Sequence, residues 1–342
     1  MEDDVNSIFD RPVRDLLYQK VQRLEREEGH QMGGAATCPR NDSNFSYGRR
    51  VPRHVKEQEW NLSSLIQAQE EQRSLECYEI NIDPIVRHKL AKLLLLNGVL
   101  LDRNPGVYKQ LLNYPRAEVE LRGDIAKDVD RTFIEYRLFS NGNKGQGMLY
   151  RVLAAYAVYN PEIGYCQGMN VLASVLLLAR FSEEETFWAL TRLMKEYSIE
   201  QMFLPGLPGV RRSIEKFNEL FEFLLPKLAK HFAKEGIEST MYLSKWFMTL
   251  YGSVLPLELV FKVWEEFLAT GSWSVLWAVG LSLLHLFEDE LLKRPFEGIL
   301  LFIQSLPLEK LDEGAVLDQT AAFRKQIREA KWAQESLFAL LA

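Results

Sequence analysis

Cysteine is scarce in this chain: Cys38, Cys77 and Cys166 are the only three in 342 residues, and no two form a CxxC pair. Neither a disulfide framework nor a cysteine-based zinc site is indicated, and a reducing, intracellular setting follows. His30, His54, His88, His231 and His285 stand singly along the chain, so a metal or nucleophile centre built on histidine has no support. Positive charge is not in excess either. The formal net charge is −6, and no basic stripe of the kind that tracks a phosphate backbone is present, which argues against nucleic acid as a partner. The longest apolar stretches, around Leu93 to Leu101 and Val171 to Ala179, fall far short of the roughly 20 residues a membrane span requires. The first ten residues, MEDDVNSIFD, are acidic rather than signal-like, so a soluble, cytoplasmic chain is expected. Also missing are the GxSxG, HExxH and GxxxxGK[ST] patterns, so no free-standing hydrolase or phosphate-cradling loop is indicated.

What is present is apolar mass arranged with helical period. Hydrophobic residues make up 47% and charged residues 26%, enough for a large core without help from metals or disulfides. Residues 1–75 read as a polar, partly disordered extension interrupted by Gly29, Gly33, Gly34, Pro39 and Pro52. Its one helix candidate is Val13 to Glu28, with Leu16, Leu17, Val21 and Leu24 on one face. Residues 76–342 read as an all-α domain. Helices are expected near Pro84 to Asn97, Ile125 to Tyr136, Gly147 to Asn160, Asn170 to Arg180, Glu183 to Tyr197 and Val210 to Phe232. Ser182 and Glu185 have the spacing of a capping box, and Asn160 before Pro161 marks a helix stop. The segment from Thr240 to Leu292, with Trp246, Trp264, Trp273 and Trp277, is too apolar all round for a surface and reads as the core of the second half. Gly142, Gly145 and Gly147 around Lys144 read as a loop and helix entry.

Two segments differ from this background. In the first, Ile125 to Phe133, a helix would bury Ile125, Val129, Thr132, Phe133 and, just beyond, Tyr136 and project Arg131 from its flank, with Asp128 three residues earlier within reach of the guanidinium. Taken alone this is as well read as an ordinary surface ion pair. In the second, Gly164-Tyr165-Cys166-Gln167-Gly168-Met169-Asn170, Gln167 should sit on a turn before an apolar helix. Gly168 beside it would remove a side chain and let another backbone approach. Taken alone it is a glutamine in a polar turn.

Together the two segments resemble the TBC family of Rab GTPase-activating proteins. Ile125, Asp128, Arg131 and Thr132 match its IxxDxxRT motif, and Tyr165, Gln167, Gly168 and Met169 its YxQGM motif, in the same order. The similarity runs from about Ile82 to Pro307, through Val107-Tyr108, Glu184-Glu185 to Trp188 and Lys245-Trp246-Phe247. Two departures stand out: Ala91 follows Arg87 where the family has tryptophan, and Trp264-Glu265 replaces a Trp-Asp pair. The resemblance implies a multi-helical, two-lobed TBC domain that stimulates GTP hydrolysis on a Rab-family small GTPase and is not itself a hydrolase. Arg131 would be an arginine finger, a contribution worth about 10³ to 10⁵ in rate. Gln167 would be a glutamine finger, with Asp128, Tyr165 and Gly168 in support. GTP and Mg²⁺ would be carried by the partner, no cofactor of the chain's own is expected, and any contact with endomembranes would come through that partner. A catalytically silent Rab-binding or scaffolding domain is the other function such a chain could serve.

Overall fold

The computed structural model describes residues 82–95, 99–113, 122–140, 143–307 and 311–329. The extension assigned to residues 1–75, with its helix candidate, lies outside them. Among the described residues the chain is all helix and turn, with no strand and no helix long and apolar enough to cross a membrane.

The first half holds α1 (Pro84–Leu95), α2 (Val99–Arg103), α3 (Val107–Leu112), α4 (Arg122–Val129), α5 (Lys144–Tyr159), α6 (Met169–Leu178) and α7 (Glu183–Glu196), closed by a 3₁₀ turn at Ile199–Met202. The Asp83 carboxylate accepts from Ile85 N–H and Pro84 opens α1, so that helix starts where its chemistry says it should. In α5, Leu149, Val152, Leu153 and Tyr156 form a buried stripe. Ala154, Ala155 and Ala157 are buried too, and their small side chains let α6 and α7 pack closely on either side. The helix stops at Asn160, ahead of Pro161. Every residue of α6 except Val171 is buried, which makes α6 the central helix of this half.

The second half comprises α8 (Pro208–Leu224), α9 (Pro226–Glu235), α10 (Thr240–Met248), α11 (Leu257–Thr270), α12 (Ser274–Leu286), α13 (Glu288–Leu291), α14 (Phe296–Gln304) and α15 (Glu313–Glu329). Its centre is α12, packed between α11 and α15. Trp246, Trp264 and Trp277 are almost wholly buried, and the Trp264 indole N–H donates to Leu250 O at 2.9 Å, which lets so large a polar-tipped ring sit inside. The two halves meet where α1 lies on α11; there Lys89 Nζ pairs with Glu265 Oε1 at 2.5 Å, so the longer carboxylate at that position has a partner. Ala91, in the place of the expected tryptophan, packs partly buried against the core.

The capping box at α7 is present: Ser182 Oγ accepts from Glu185 N–H, and Glu185 Oε2 accepts from Ser182 N–H at 2.7 Å. Two expected helices need correction. The run from Val210 to Phe232 is two helices, because Pro226 has no N–H to donate and forces Leu225 off helical geometry, to φ −130° and ψ 54°. The run from Ile125 to Tyr136 ends at Val129: the Thr132 hydroxyl bonds back to Asp128 O, the N–H groups of Arg131 and Thr132 turn to carbonyls three residues earlier, and Phe133 takes φ 50°. Arg131 is therefore presented by a turn and not by the flank of a helix.

Gly145, one of the three glycines of the helix entry, is held by close approach. A Cβ built there would lie 2.2 Å from Leu138 O, and its own N–H donates to that carbonyl at 3.1 Å. Gly145→Ala is expected to cost about 2 kcal/mol or more of stability, read as a lowered midpoint in urea at unchanged m value.

Candidate functional site

The turn after α4 and the turn before α6 are joined through one carboxylate. Asp128 Oδ1 accepts from Arg131 Nε at 3.0 Å and from Arg131 Nη2 at 2.5 Å, while Asp128 Oδ2 accepts from the Tyr165 hydroxyl at 2.5 Å. The Asp128 side chain is 8% exposed and that of Arg131 46%, so a buried anion fixes one edge of a guanidinium that itself reaches solvent. An isolated buried carboxylate would be costly, and these charge-assisted bonds offset that cost. Burial, then the hydrogen bond to Asp128 and its charge, push the Tyr165 phenol well above its ordinary range. It remains a protonated donor at any physiological pH.

A second path runs parallel to the first. Gly168 N–H donates to Asn170 Oδ1 at 2.9 Å, Asn170 Nδ2 donates to Thr132 Oγ1 at 2.8 Å, and the Thr132 hydroxyl donates to Asp128 O. Asn170 and Thr132 are both buried, so each bond replaces water that cannot enter. Asn170 is the functional candidate the sequence reading passed over. Its one signal is a polar amide at the head of a helix whose next residues are almost all apolar. Asn170→Ala leaves the buried Gly168 N–H without its acceptor and takes one donor from the Thr132 hydroxyl, and is expected to cost about 1–3 kcal/mol, measurable as a drop in denaturation midpoint.

Gln167 lies at the exposed tip of this turn, immediately before α6, and among the described residues its side chain makes no hydrogen bond. Gly168 takes φ 108°, and a Cβ there would meet Phe203 Cε1 at 3.3 Å and Met248 Cβ at 3.6 Å. It is side chains, not a second backbone, that crowd this glycine. The contacts seat the Gln167 turn on the 3₁₀ turn and on α10, where the first half of the chain meets the second. Tyr165 and Met169 are buried anchors on either side.

Arg131, Asp128, Tyr165 and Gly168 are thus brought into one constellation, with Gln167 between the last two. Chemically it offers a planar cation held in a set pose and an exposed amide on a braced turn. Among the described residues, no three His, Cys, Asp or Glu side chains gather as a metal-binding set.

A family model described as the Rab-GTPase-TBC domain matches residues 98–292. The chain is 32% identical to the Rab GTPase-activating protein eat-17 of Caenorhabditis elegans over 203 residues, 59% of this chain and 23% of that protein. It is 31% identical to growth hormone-regulated TBC protein 1-A of Danio rerio over 234 residues, 66% of this chain and 62% of that one. The alignments therefore span less than two thirds of these relatives' own lengths. Among solved structures, the Chlamydomonas flagellar RabGAP TBC domain superposes with a TM-score of 0.62 at 21% identity, covering 76% of this chain and 88% of that one. The Ypt/Rab-GAP domain of Gyp1p gives a TM-score of 0.61 at 19% identity, covering 77% and 99%. The solved structures agree on the all-helical fold, and the family match takes in both the Arg131 and the Gln167 segments. The chain belongs to the Rab-GTPase-TBC domain family.

Proposed function

We propose that this chain stimulates GTP hydrolysis on a Rab-type small GTPase, inserting Arg131 and Gln167 into the nucleotide site of a partner that brings its own GTP and Mg²⁺. The observation that carries the reading is Asp128, whose two oxygens bind Arg131 and Tyr165 and so couple the arginine to the turn bearing Gln167. An arginine supplied in trans neutralises charge developing on the phosphates, and a fixed guanidinium needs little reorganisation at the moment of reaction. The exposed Gln167 amide can donate to or accept from a water and so orient it for in-line attack. The chain is then an activator and no hydrolase in its own right. It works in the cytoplasm and reaches endomembranes through its Rab.

The test is a GTP-hydrolysis screen of the purified chain against a panel of Rab proteins. At least one should turn over its GTP about 10³-fold faster or more. Binding to GTP-loaded Rabs with no acceleration of any would overturn the reading in favour of a scaffold.

A further inference from the structure

Resting on the reaction proposed above, we propose that Asn170 is a positioning residue, which sets the distance and angle of Gln167 relative to Arg131 through the backbones of their two turns. The Gly168 N–H that donates to Asn170 Oδ1 at 2.9 Å belongs to the peptide bond formed by Gln167 itself. On its other side Asn170 Nδ2 donates to Thr132 Oγ1 at 2.8 Å, and the Thr132 hydroxyl donates to Asp128 O. That same carbonyl accepts from the Arg131 N–H at 3.3 Å. A run of hydrogen bonds therefore leads from the peptide of Gln167 to the peptide of Arg131.

The direction of each bond in this run is forced. The Gly168 N–H needs an acceptor, so Asn170 turns Oδ1 toward it and Nδ2 toward Thr132. Thr132 has a single hydroxyl hydrogen, and because Asn170 donates to its oxygen that hydrogen goes to Asp128 O. Asn170 and Thr132 are buried, so water does not stand in for either.

Two features make this link matter for reaction geometry. Gly168, at φ 108° and ψ −31°, has no Cβ to limit its rotation, and a turn of its peptide would swing Gln167 with it; the bond to Asn170 removes that freedom. The bond from Tyr165 to Asp128 joins the two turns ahead of Gln167 and ahead of Arg131, and by itself is a pivot. The bond from Asn170 to Thr132 joins them again beyond Gln167 and beyond Arg131. Two separate links fix rotation as well as distance. A guanidinium on phosphate and an amide on water must engage together, and a displacement of about 1 Å costs on the order of 10²-fold in rate.

Asn170 is also the second residue of α6 and steadies the start of that helix, so the experiment must separate positioning from stability. Asn170→Ala, Thr132→Val and Thr132→Ser are compared with the parent for kcat and KM on the GTP-loaded Rab stimulated best, below the melting temperature of each chain. Asn170→Ala is then repeated in a Gln167→Ala background. Asn170→Ala and Thr132→Val should each lower kcat about tenfold with KM within about twofold, while Thr132→Ser, which keeps the hydroxyl, stays within about twofold of the parent. In the Gln167→Ala background the loss from Asn170→Ala should shrink to about twofold or less, because no amide remains to be positioned. An undiminished loss in that background, a change in KM alone, or both variants within about twofold of the parent overturns the proposal and leaves the proposed function standing. Should Asn170→Ala fail to fold, Thr132→Val is carried through the same cycle under the same criteria. A parent chain that stimulates no Rab overturns the proposed function, and the positioning role with it.

Discussion

Arg131→Ala is expected to lower stimulation of the best Rab substrate by about 10³-fold or more, measured as phosphate release at limiting activator. The loss should be chemical. Arg131 is nearly half exposed, and its contact with Asp128 is to a carboxylate that keeps a second partner in Tyr165. Removing the guanidinium does leave a buried carboxylate with two N–H donors fewer, so a loss of stability, a few degrees in melting temperature, should accompany the catalytic loss. Arg131→Lys separates the two effects. An ammonium can still neutralise Asp128 and restore the melting temperature, but it cannot reproduce a planar fork between phosphate oxygens, so activity should stay low. Alanine and parent proteins of equal activity would rule out the finger role, and a variant that restores stability and activity together would mark Arg131 as structural.

How this arginine is held was only half legible beforehand. Asp128 and Arg131 are three residues apart, so their pairing could be read from local spacing. Tyr165 lies 37 residues from Asp128 and Asn170 lies 38 from Thr132, and no periodicity encodes those distances. Motif resemblance supplied Tyr165 and missed Asn170. The helix across Ile125 to Tyr136 is expected because the apolar spacing continues past Val129, whereas the structure breaks it with a buried threonine hydroxyl that bonds back to Asp128 O and accepts from Asn170, 38 residues further on. Signals that act locally fared better: the Ser182–Glu185 box and the Asn160 stop needed only neighbouring residues. Pro226 was equally local and was overridden by the amphipathic run on both sides of it. Gly168 stands out in the sequence as a place of close approach, but Phe203 and Met248, the side chains that crowd it, lie 35 and 80 residues further on.

Gln167 gives the sharper test of mechanism. If its amide orients the attacking water, a Rab whose own switch glutamine has been changed to leucine should still be stimulated appreciably, because the residue it lacks is supplied in trans. An activator contributing only an arginine depends on the partner's glutamine and would leave that Rab inert. Gln167→Ala should in turn depress turnover by about 10²-fold or more, since Arg131 can neutralise charge but cannot align a nucleophile. The fold should not change. Gln167 is exposed and makes no side-chain hydrogen bond among the described residues, and the turn is braced through Gly168 N–H and Tyr165 instead. The experiment is a two-by-two comparison of parent and Gln167→Ala chains against normal and glutamine-less Rab, at matched concentrations, with melting temperatures recorded for both chains. Parent protein should act on both Rabs, and Gln167→Ala should fail on the glutamine-less Rab most completely, because no amide then remains to hold the water. A glutamine-less Rab that the parent cannot stimulate, together with a Gln167→Ala chain of normal activity on the unmodified Rab, would return Gln167 to the role of a turn residue and leave Arg131 as the sole group supplied in trans.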